Sequence, residues 1–208
     1  MAEPLISAWI LAGGEGRRMG GRDKGLVPFQ GRPLVAHVLS TLRPQVDDVW
    51  VIANRHLADY ARELARHPGD GPEPARVLAD DLDLPAHSGP LAGVVTALRH
   101  ARTPWLFVSP CDTPHLPADL VSQLLATALR EDADVVVPTT MEPNGQTRHH
   151  WLCAVVNKRV CPETEAVFVT GERKIGQWVR SLRWRAVCFP ESRPFMNINT
   201  LETSDGRD

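Results

Sequence analysis

Apolar residues follow two patterns that alternate from the N-terminus to residue 138. Short apolar runs, such as Trp105–Val108, are typical of strands buried on both faces of a parallel sheet. Between them, apolar positions recur at helical spacing, as at Leu34, Val38, Leu39 and Leu42. The pattern predicts strands over residues 5–11, 48–53, 76–78, 105–108 and 133–138, and helices over 34–42, 57–64, 90–100 and 117–130.

This alternation predicts an α/β fold, with three layers (α/β/α) built around a mostly parallel, twisted sheet. After residue 138 the rhythm changes, and the turn pair Asn144-Gly145 predicts a hairpin or loop over residues 141–147. We also predict strands over 152–156 and 184–189, a helix over 172–182, a turn over 30–33 and short extended segments over 25–29 and 195–199.

Length and composition limit the classes of protein to consider. A chain of 208 residues suits a single domain, and 43% hydrophobic residues can supply its core. The net charge of −2 gives no global field for nucleic acid or membrane, so any anion site must be local. Four scattered cysteines form no CxxC pair, which argues against zinc, and Met1-Ala-Glu-Pro4 does not resemble a signal peptide. We therefore expect a cytoplasmic protein, and a monomer, with no nucleic-acid or membrane partner.

A glycine-rich segment follows the first predicted strand. Residues 11–24 contain five glycines, three arginines and a lysine, with only two acidic residues. Glycines allow backbone conformations in which successive N–H groups converge on an anion, and arginine and lysine add positive charge for phosphate oxygens. The segment therefore predicts a polyphosphate-binding loop. The alternative is a flexible surface loop.

The spacing of these glycines differs from two well-known phosphate loops. The P-loop pattern GxxxxGK[ST] is absent, because no lysine here precedes Ser or Thr in that frame. The dinucleotide pattern GxGxxG also fails, because Gly20 lies one residue too late after Gly14 and Gly16.

The segment Leu11-Ala-Gly-Gly-Glu-Gly-Arg-Arg-Met-Gly-Gly-Arg-Asp-Lys24 resembles the signature of the molybdenum cofactor guanylyltransferases, the MobA family of nucleotidyltransferases. The resemblance continues through the segments at 54–56, 89–93, 110–114 and 197–200, and covers about residues 5–203. It implies a Rossmann-like nucleotidyltransferase fold, with a nucleotide-binding part over 5–138, an acceptor-binding part over 139–203 and a tail over 204–208. Related cytidylyl- and uridylyltransferases usually have Leu-Ala-Ala-Gly where this chain has Ala12-Gly13-Gly14.

The resemblance also implies a metal-assisted reaction. In an open α/β sheet, ligands bind beyond the carboxyl ends of the strands, where Asp112 follows one predicted strand. Magnesium prefers oxygen ligands, and the family comparison makes Asp112 and Asn199 its expected ligands. A helix N-cap is the alternative for Asp112, and an ordinary turn residue is the alternative for Asn199.

The nucleotide is expected to contact the residues Leu11, Ala12, Gly13, Gly14, Lys24, Asp80 and Asp112. Lys24 and Arg18 are the expected phosphate ligands, and with Asp112 they form the expected catalytic set. Asp80 resembles a family residue at the nucleotide, and a carboxylate can accept hydrogen bonds from guanine N1–H and N2–H₂. The backbone of residues 11–13 is an alternative reader of the base. Asp81 and Asp83 lie close enough to be confused with Asp80, and a solvated acidic loop is a further alternative.

The acceptor is expected to contact the residues Gly89, Gly93, Arg173, Asn197 and Asn199. Gly89 and Gly93 bracket a helix start, where free N–H groups favour anions, but turn and packing roles are alternatives. Arg173 could equally be surface charge. The chain departs from the family at Ile52, where Asn is frequent, and at Trp151, where a His-Pro-Thr segment becomes His-Trp-Leu. For His149 and His150 we favour a loop or strand-edge role over catalysis.

The implied reaction transfers GMP from GTP to the phosphate of molybdopterin, with Mg²⁺, and releases pyrophosphate. A phosphate monoester has a second pKa of about 6, so the acceptor is mostly dianionic at pH 7 and needs no general base. Molybdenum-insertion proteins and acceptor enzymes are the implied protein partners. A cytidylyl- or sugar-1-phosphate nucleotidyltransferase and a non-catalytic nucleotide-binding protein are the alternatives.

Overall fold

The computed structural model describes residues 5–14, 23–66, 76–85 and 88–198. Its strands are β1 (Ile6–Leu11), β2 (Pro28–Phe29), β3 (Arg32–Pro33), β4 (Asp48–Ile52), β5 (Arg76–Leu78), β6 (Trp105–Pro110), β7 (Val135–Met141), β8 (Thr147–His149), β9 (Ala154–Asn157) and β10 (Trp184–Phe189). Its α-helices are α1 (Leu34–Leu42), α2 (Leu57–Arg66), α3 (Pro90–His100), α4 (Leu120–Arg130), α5 (Cys161–Val169) and α6 (Ile175–Arg180).

Eight of these strands form one mixed, mostly parallel sheet in the order β10-β7-β9-β6-β1-β4-β5, with β8 paired to β7. The strands β6, β1, β4 and β5 run parallel, with Leu11 opposite both Ile52 and Pro110. Strand β9 is antiparallel to both β6 and β7, and β10 is parallel to β7. The carboxyl ends of β1, β4, β5 and β6 therefore lie along the same edge of the sheet.

Alternate residues of the strands face two helical layers, because successive side chains of a strand point to opposite faces. From β1, Ile10 packs with α1, α2 and α4 on one face, whereas Trp9 packs with α3, α5 and α6 on the other. Most of the apolar residues of β1, β6 and β7 are fully buried, as the continuous apolar runs predict for a sheet covered on both sides.

The structure confirms the predicted α/β class and the predicted alternation of strands and helices up to residue 138. The hairpin at residues 141–147 is also confirmed, since β7 and β8 pair on either side of Gly145, whose φ of 77° suits glycine.

Several local predictions are wrong. Residues 24–26 form a 3₁₀ turn before a small β2–β3 hairpin, instead of one extended segment, and Arg193–Phe195 is also 3₁₀. The helix predicted over 172–182 is only α6, because Glu172 bonds the backbone N–H groups of Arg173 and Lys174 just before it. Helix α5 was not predicted, because its apolar residues do not gather on one face.

Candidate active site

Backbone hydrogen bonds bind the carboxyl ends of the parallel strands into one continuous edge. The N–H of Ala12 donates to Ile52 O at 2.7 Å, and the N–H of Ala53 donates to Leu78 O at 2.9 Å. The N–H of Cys111 donates to Leu11 O at 3.2 Å. The segments that follow β1, β4, β5 and β6 are thus neighbours, and we call this border the active-site edge.

Asp112 lies at this edge directly after β6 and is 6% exposed. Its Oδ2 accepts a hydrogen bond from Lys24 Nζ, which makes a partly buried ion pair. Its Oδ1 is buried and has no hydrogen-bond partner among the described residues. An unsatisfied buried carboxylate oxygen is costly, so its presence indicates a place for a ligand that the described residues do not supply.

The alternative role of Asp112 as a helix N-cap is not supported. The next α-helix, α4, begins at Leu120 with Asp119 in the N-cap position. One oxygen of Asp112 instead accepts a hydrogen bond from Lys24, and the other has no hydrogen-bond partner among the described residues. This arrangement suits a hard cation such as Mg²⁺. Among the described residues there is no group of three or more His, Cys, Asp or Glu side chains able to hold a metal. Any cation here would therefore take its remaining ligands from substrate, water or residues outside the described ranges.

Lys24 is held in place by its neighbours on both sides. Asp23 is 5% exposed and accepts a hydrogen bond from the Tyr60 hydroxyl of α2. A Cβ at Gly25 would lie 2.5 Å from that hydroxyl, so only glycine lets the tyrosine approach. Burial raises the pKa of Asp23, although the Tyr60 hydrogen bond opposes the shift. The sequence pattern gave no signal for Tyr60, because its partner is 37 residues away.

Asp80 lies at the same edge after β5 and forms a reciprocal pair with Asn54. The Asn54 Nδ2 donates to Asp80 Oδ2 at 2.7 Å, and the Asp80 N–H donates to Asn54 Oδ1 at 2.9 Å. The Asp80 Oδ1 is buried without a hydrogen-bond partner in the described part of the chain. Burial raises the pKa of this carboxyl, with Asn54 opposing and Asp81 adding to the shift. Two hydrogen-bond donors from a ligand would satisfy it.

The neighbouring carboxylates of Asp81 and Asp83 accept hydrogen bonds from residues of α3. Arg99 of α3 donates to Asp81 Oδ2 at 3.0 Å and to both oxygens of Asp83 at 2.8 and 3.0 Å. His100 also lies 2.8 Å from Asp81 through its Nε2. Asp80 therefore differs from Asp81 and Asp83, which the sequence alone could confuse with it, because Asp80 has a buried oxygen without a hydrogen-bond partner among the described residues.

The predicted glycines occupy different surroundings. A Cβ at Gly93 would lie 3.0 Å from Leu11 Cδ2 and 3.6 Å from Asp80 Oδ1, so the first turn of α3 packs against the predicted nucleotide residues. A Cβ at Gly13 would lie 3.1 Å from Asn54 Nδ2, whereas Gly14 has open space around it. Gly93, which the resemblance implies for the acceptor, thus lies closer to the predicted nucleotide residues than that role suggests.

The other predicted acceptor residues are scattered. Gly89 precedes α3 with a φ of 76°, which accounts for glycine there. The exposed Asn197 lies beside Ile198, whose N–H donates to Asp112 O at 2.9 Å, so this segment reaches the active-site edge. Arg173 follows α5 and donates to the carbonyls of Phe168 and Glu172, both at 2.7 Å. Arg18 and Asn199 lie outside the described residues.

His149 and His150 make packing contacts. The His149 ring stacks on Trp151 with centroids 4.4 Å apart, and the Arg180 guanidinium lies 4.4 Å from the Trp151 ring centroid. His150 Nε2 lies 2.9 Å from the Thr140 hydroxyl, and its ring stacks on Phe195. These contacts fit the strand-edge role that the sequence favoured, since His149 ends the edge strand β8.

The MobA-like NTP transferase domain family matches residues 8–187. The chain belongs to this family. It is therefore a nucleotidyltransferase, and the resemblance stated from the sequence is confirmed.

Full-length relatives agree with this result. The chain is 36% identical to the molybdenum cofactor guanylyltransferase of Cupriavidus taiwanensis, over 97% of this chain and 96% of that protein. It is 39% identical to the molybdenum cofactor guanylyltransferase of Burkholderia lata, over 97% of this chain and 94% of that protein.

Solved structures show that the fold is shared more widely. Molybdopterin-guanine dinucleotide biosynthesis protein A from Archaeoglobus fulgidus is similar at a TM-score of 0.68 and 24% identity, over 95% of this chain and 94% of that chain. The 4-diphosphocytidyl-2C-methyl-D-erythritol synthase of Anaerococcus prevotii reaches a TM-score of 0.69 at 14% identity, over 96% and 94% of the two chains. At these identities the likeness shows the fold alone, so the nucleotidyltransferase fold is confirmed. None of the helices described is both long and apolar enough to span a membrane.

Proposed function

We propose that this chain transfers GMP from GTP to the phosphate of molybdopterin, which forms the guanine dinucleotide cofactor and releases pyrophosphate. The names of the relatives in Cupriavidus and Burkholderia support the choice of donor and acceptor. The observation that carries the proposal is the open, buried Oδ1 of Asp112, located at the active-site edge with Lys24 on the other oxygen.

The reaction is a displacement at the α-phosphorus of GTP. An oxygen of the acceptor phosphate forms a bond to that phosphorus, and the bond between the α-phosphorus and the bridging oxygen to the β-phosphate breaks. The electron pair leaves with pyrophosphate. Because the acceptor phosphate is already mostly dianionic at pH 7, no side chain has to remove a proton from it.

The main obstacle is repulsion between two polyanions, and the chain's contribution is charge and position. Lys24 presents its ammonium at the active-site edge, and the backbone of Leu11, Ala12, Gly13 and Gly14 continues from β1 into the predicted phosphate loop. Arg18 is a predicted phosphate ligand from the same loop. Positioning and neutralisation of this kind are the usual means of catalysis in phosphoryl transfer.

The open oxygen of Asp112 is suited to hold Mg²⁺, with Asn199 as its predicted companion ligand. When bound, Mg²⁺ would neutralise phosphate charge near the reacting phosphorus. Burial of the Asp80 carboxylate raises its pKa and leaves its Oδ1 without a hydrogen-bond partner among the described residues, and guanine N1–H and N2–H₂ would supply the missing donors. We therefore propose Asp80 as the reader of guanine.

The acceptor would lie toward residues 139–203, with Gly89, Gly93, Arg173, Asn197 and Asn199 as its predicted contacts. The packing of Gly93 against Leu11 suggests that this glycine borders the nucleotide as well. Cytoplasmic location, the monomeric state and the protein partners stay predictions from the sequence.

The test is an incubation of the protein with GTP, Mg²⁺ and molybdopterin, assayed for pyrophosphate and for the dinucleotide product. Parallel reactions with CTP and UTP, and with a sugar 1-phosphate as acceptor, test the related activities. Pyrophosphate release that needs both GTP and molybdopterin supports the proposal. Turnover with CTP or UTP but not GTP would overturn it.

A further inference from the structure

Arg99 is the centre of an ion-pair network beside the proposed base-reading carboxylate. Its Nη1 donates to Asp81 and Asp83, and its Nε donates to Glu165 of α5 at 2.5 Å. One guanidinium on α3 thereby joins the loop after β5 to α5. We call Arg99, Asp81, Asp83 and Glu165 the Arg99 network.

The loop after β5 needs such a partner because it concentrates negative charge. Asp80, Asp81 and Asp83 fall within four consecutive residues. Like charges this close repel one another, and Asp81 contributes to the raised pKa of Asp80. The hydrogen bond from Arg99 lowers the pKa of Asp83, which shows that the arginine favours its charged form.

The contacts fix the loop's backbone as well as its charges. The Asp81 N–H donates to the Thr96 hydroxyl of α3 at 3.1 Å, while the Asp81 carboxylate contacts Arg99 and His100 of the same helix. Asp80 is the adjacent residue, and Asn54 holds its carboxylate from the other side. The direction of Asp80 Oδ1 therefore depends on Asn54 on one side and on the contacts of Asp81 with α3 on the other. Of the α3 residues that hold Asp81, Arg99 also binds Asp83.

We propose that Arg99 is a positioning residue for nucleotide selectivity, which acts by holding the loop that presents Asp80 to the base. This inference rests on the proposed function, in which Asp80 accepts hydrogen bonds from guanine. Arg99 touches no reacting atom. Its removal would leave three carboxylates without their shared cation, and the loop would then be held against α3 only through the contacts of Asp81 with Thr96 and His100.

Stability alone does not explain this arrangement. The side chains of Asp83 and Glu165 are 65% and 38% exposed, and ion pairs so open to solvent contribute little to folding. Asp81 is 20% exposed, so its pair with Arg99 is the part of the network that contributes more to stability. The geometry is nevertheless specific, because Arg99 uses separate N–H groups for Glu165 and for the two aspartates. A positional effect on Asp80 should therefore exceed the effect on stability.

The experiment compares GTP with ITP, which lacks the 2-amino group that Asp80 is proposed to bind. The ratio of kcat/KM for GTP to that for ITP is measured for the wild type, Arg99→Ala, Asp80→Asn and the double variant. We expect Arg99→Ala to lower the ratio about fivefold to tenfold, chiefly through KM for GTP, since a lost hydrogen bond to a polar group is worth about this much. Because Arg99 acts through Asp80, the double variant should show the ratio of Asp80→Asn with no further loss.

Arg183→Ala is the matched control. Arg183 also binds two aspartates, Asp132 and Asp134. Asp134 directly precedes β7 and Arg183 directly precedes β10, so this cluster lies at the amino ends of these strands, which we call the opposite edge of the sheet. This variant should lower the melting temperature and leave the GTP-to-ITP ratio unchanged. If Arg99→Ala behaves in the same way, with equal losses for both nucleotides, Arg99 is merely structural and the inference is wrong. Independent, multiplying losses in the double variant would also overturn it.

The wild-type reaction separates this inference from the proposed function. If the wild type prefers a nucleotide other than GTP, the guanylyl proposal fails. The ratio of kcat/KM for the preferred nucleotide to that for GTP is then measured for the same variants. A change in this ratio in Arg99→Ala that is absent when Asp80 is also replaced supports the positioning role, and an unchanged ratio overturns it.

Discussion

The two edges of the sheet both hold buried aspartates, but they treat them in opposite ways. At the active-site edge, Asp112 and Asp80 each keep one buried oxygen without a hydrogen-bond partner among the described residues. At the opposite edge, Asp134 accepts hydrogen bonds from Arg159 Nε at 2.6 Å and from Arg183 Nε and Nη2 at 3.0 and 3.2 Å. Similar side chains are thus left open at one edge and saturated at the other.

The pKa values of Asp80 and Asp134 are shifted in opposite directions. Burial raises the pKa of Asp80, and Asn54 does not fully offset it. Burial alone would also raise the pKa of Asp134, but hydrogen bonds from Arg183 and Arg159 outweigh it and lower the pKa. A buried carboxylate whose neighbours supply its hydrogen bonds contributes to the stability of the fold. A buried carboxylate that lacks hydrogen-bond donors or a cation indicates a ligand site. The comparison therefore predicts that equivalent mutations at the two edges will have different consequences.

The largest expected effect is on catalysis, from Asp112→Asn. The variant loses the negative charge that pairs with Lys24 and that would hold the metal, while the side chain keeps its size. We expect kcat for guanylyl transfer to fall by about three orders of magnitude, in line with losses of preorganised charge at other active sites. The melting temperature should change by only a few degrees. A variant that keeps the wild-type rate would remove Asp112 from the mechanism and support a non-catalytic role for this edge.

The second largest expected effect is on stability and not on catalysis, from Asp134→Asn at the opposite edge. Asn keeps one acceptor oxygen but carries no negative charge, and its NH₂ group cannot accept a hydrogen bond, so Arg159 and Arg183 lose the ion pair and part of their hydrogen bonding. We expect the free energy of unfolding to fall by about 2 kcal/mol, because these arginines are half exposed and solvent replaces part of the loss. Urea unfolding measures this change, and kcat per folded molecule should stay near the wild-type value. A stable variant with a slow reaction would contradict the division between the edges.

Much of the sheet was predictable because strands buried on both faces appear in the sequence as continuous apolar runs. The apolar runs within 105–108 and 133–138 predict buried strands, and the structure has β6 at Trp105–Pro110 and β7 at Val135–Met141. Helix α5 left no such pattern, since its exposed Val169 interrupts any single apolar face. The shortness of α6 depended on Glu172 bonding nearby backbone N–H groups, a local detail that periodicity does not encode.

The candidate site was predictable only as far as residue types and strand ends allowed. Asp112 and Asp80 were found because each follows a strand whose carboxyl end faces the same edge. Which aspartate near residue 80 keeps an open oxygen depends on Arg99, which is 16 residues from Asp83 in sequence. Tyr60 could not be found, because nothing in the sequence shows that its hydroxyl reaches Asp23.

The smallest expected effect concerns pH, through the partly buried ring of His150. Burial, and then Arg148 and His149, lower the pKa of His150 from 6.5 to about 4. Between these values the unfolded chain binds a proton that the folded chain does not, so stability falls as pH drops from about 6.5 toward 4.

His150→Gln removes this titration and can keep a hydrogen bond to Thr140. The His150 ring is only partly buried, so we expect an effect on the order of 1 kcal/mol, with solvent screening the rest. Melting curves of the wild type and the variant at pH 7 and pH 4.5 measure it, and the wild type should lose more stability than the variant over that interval. Titrations of Asp23 and Asp80 are common to both proteins and cancel in the difference. Parallel losses in the two proteins would show that His150 is as open to protons in the folded state as in the unfolded one, and that folding does not lower its pKa.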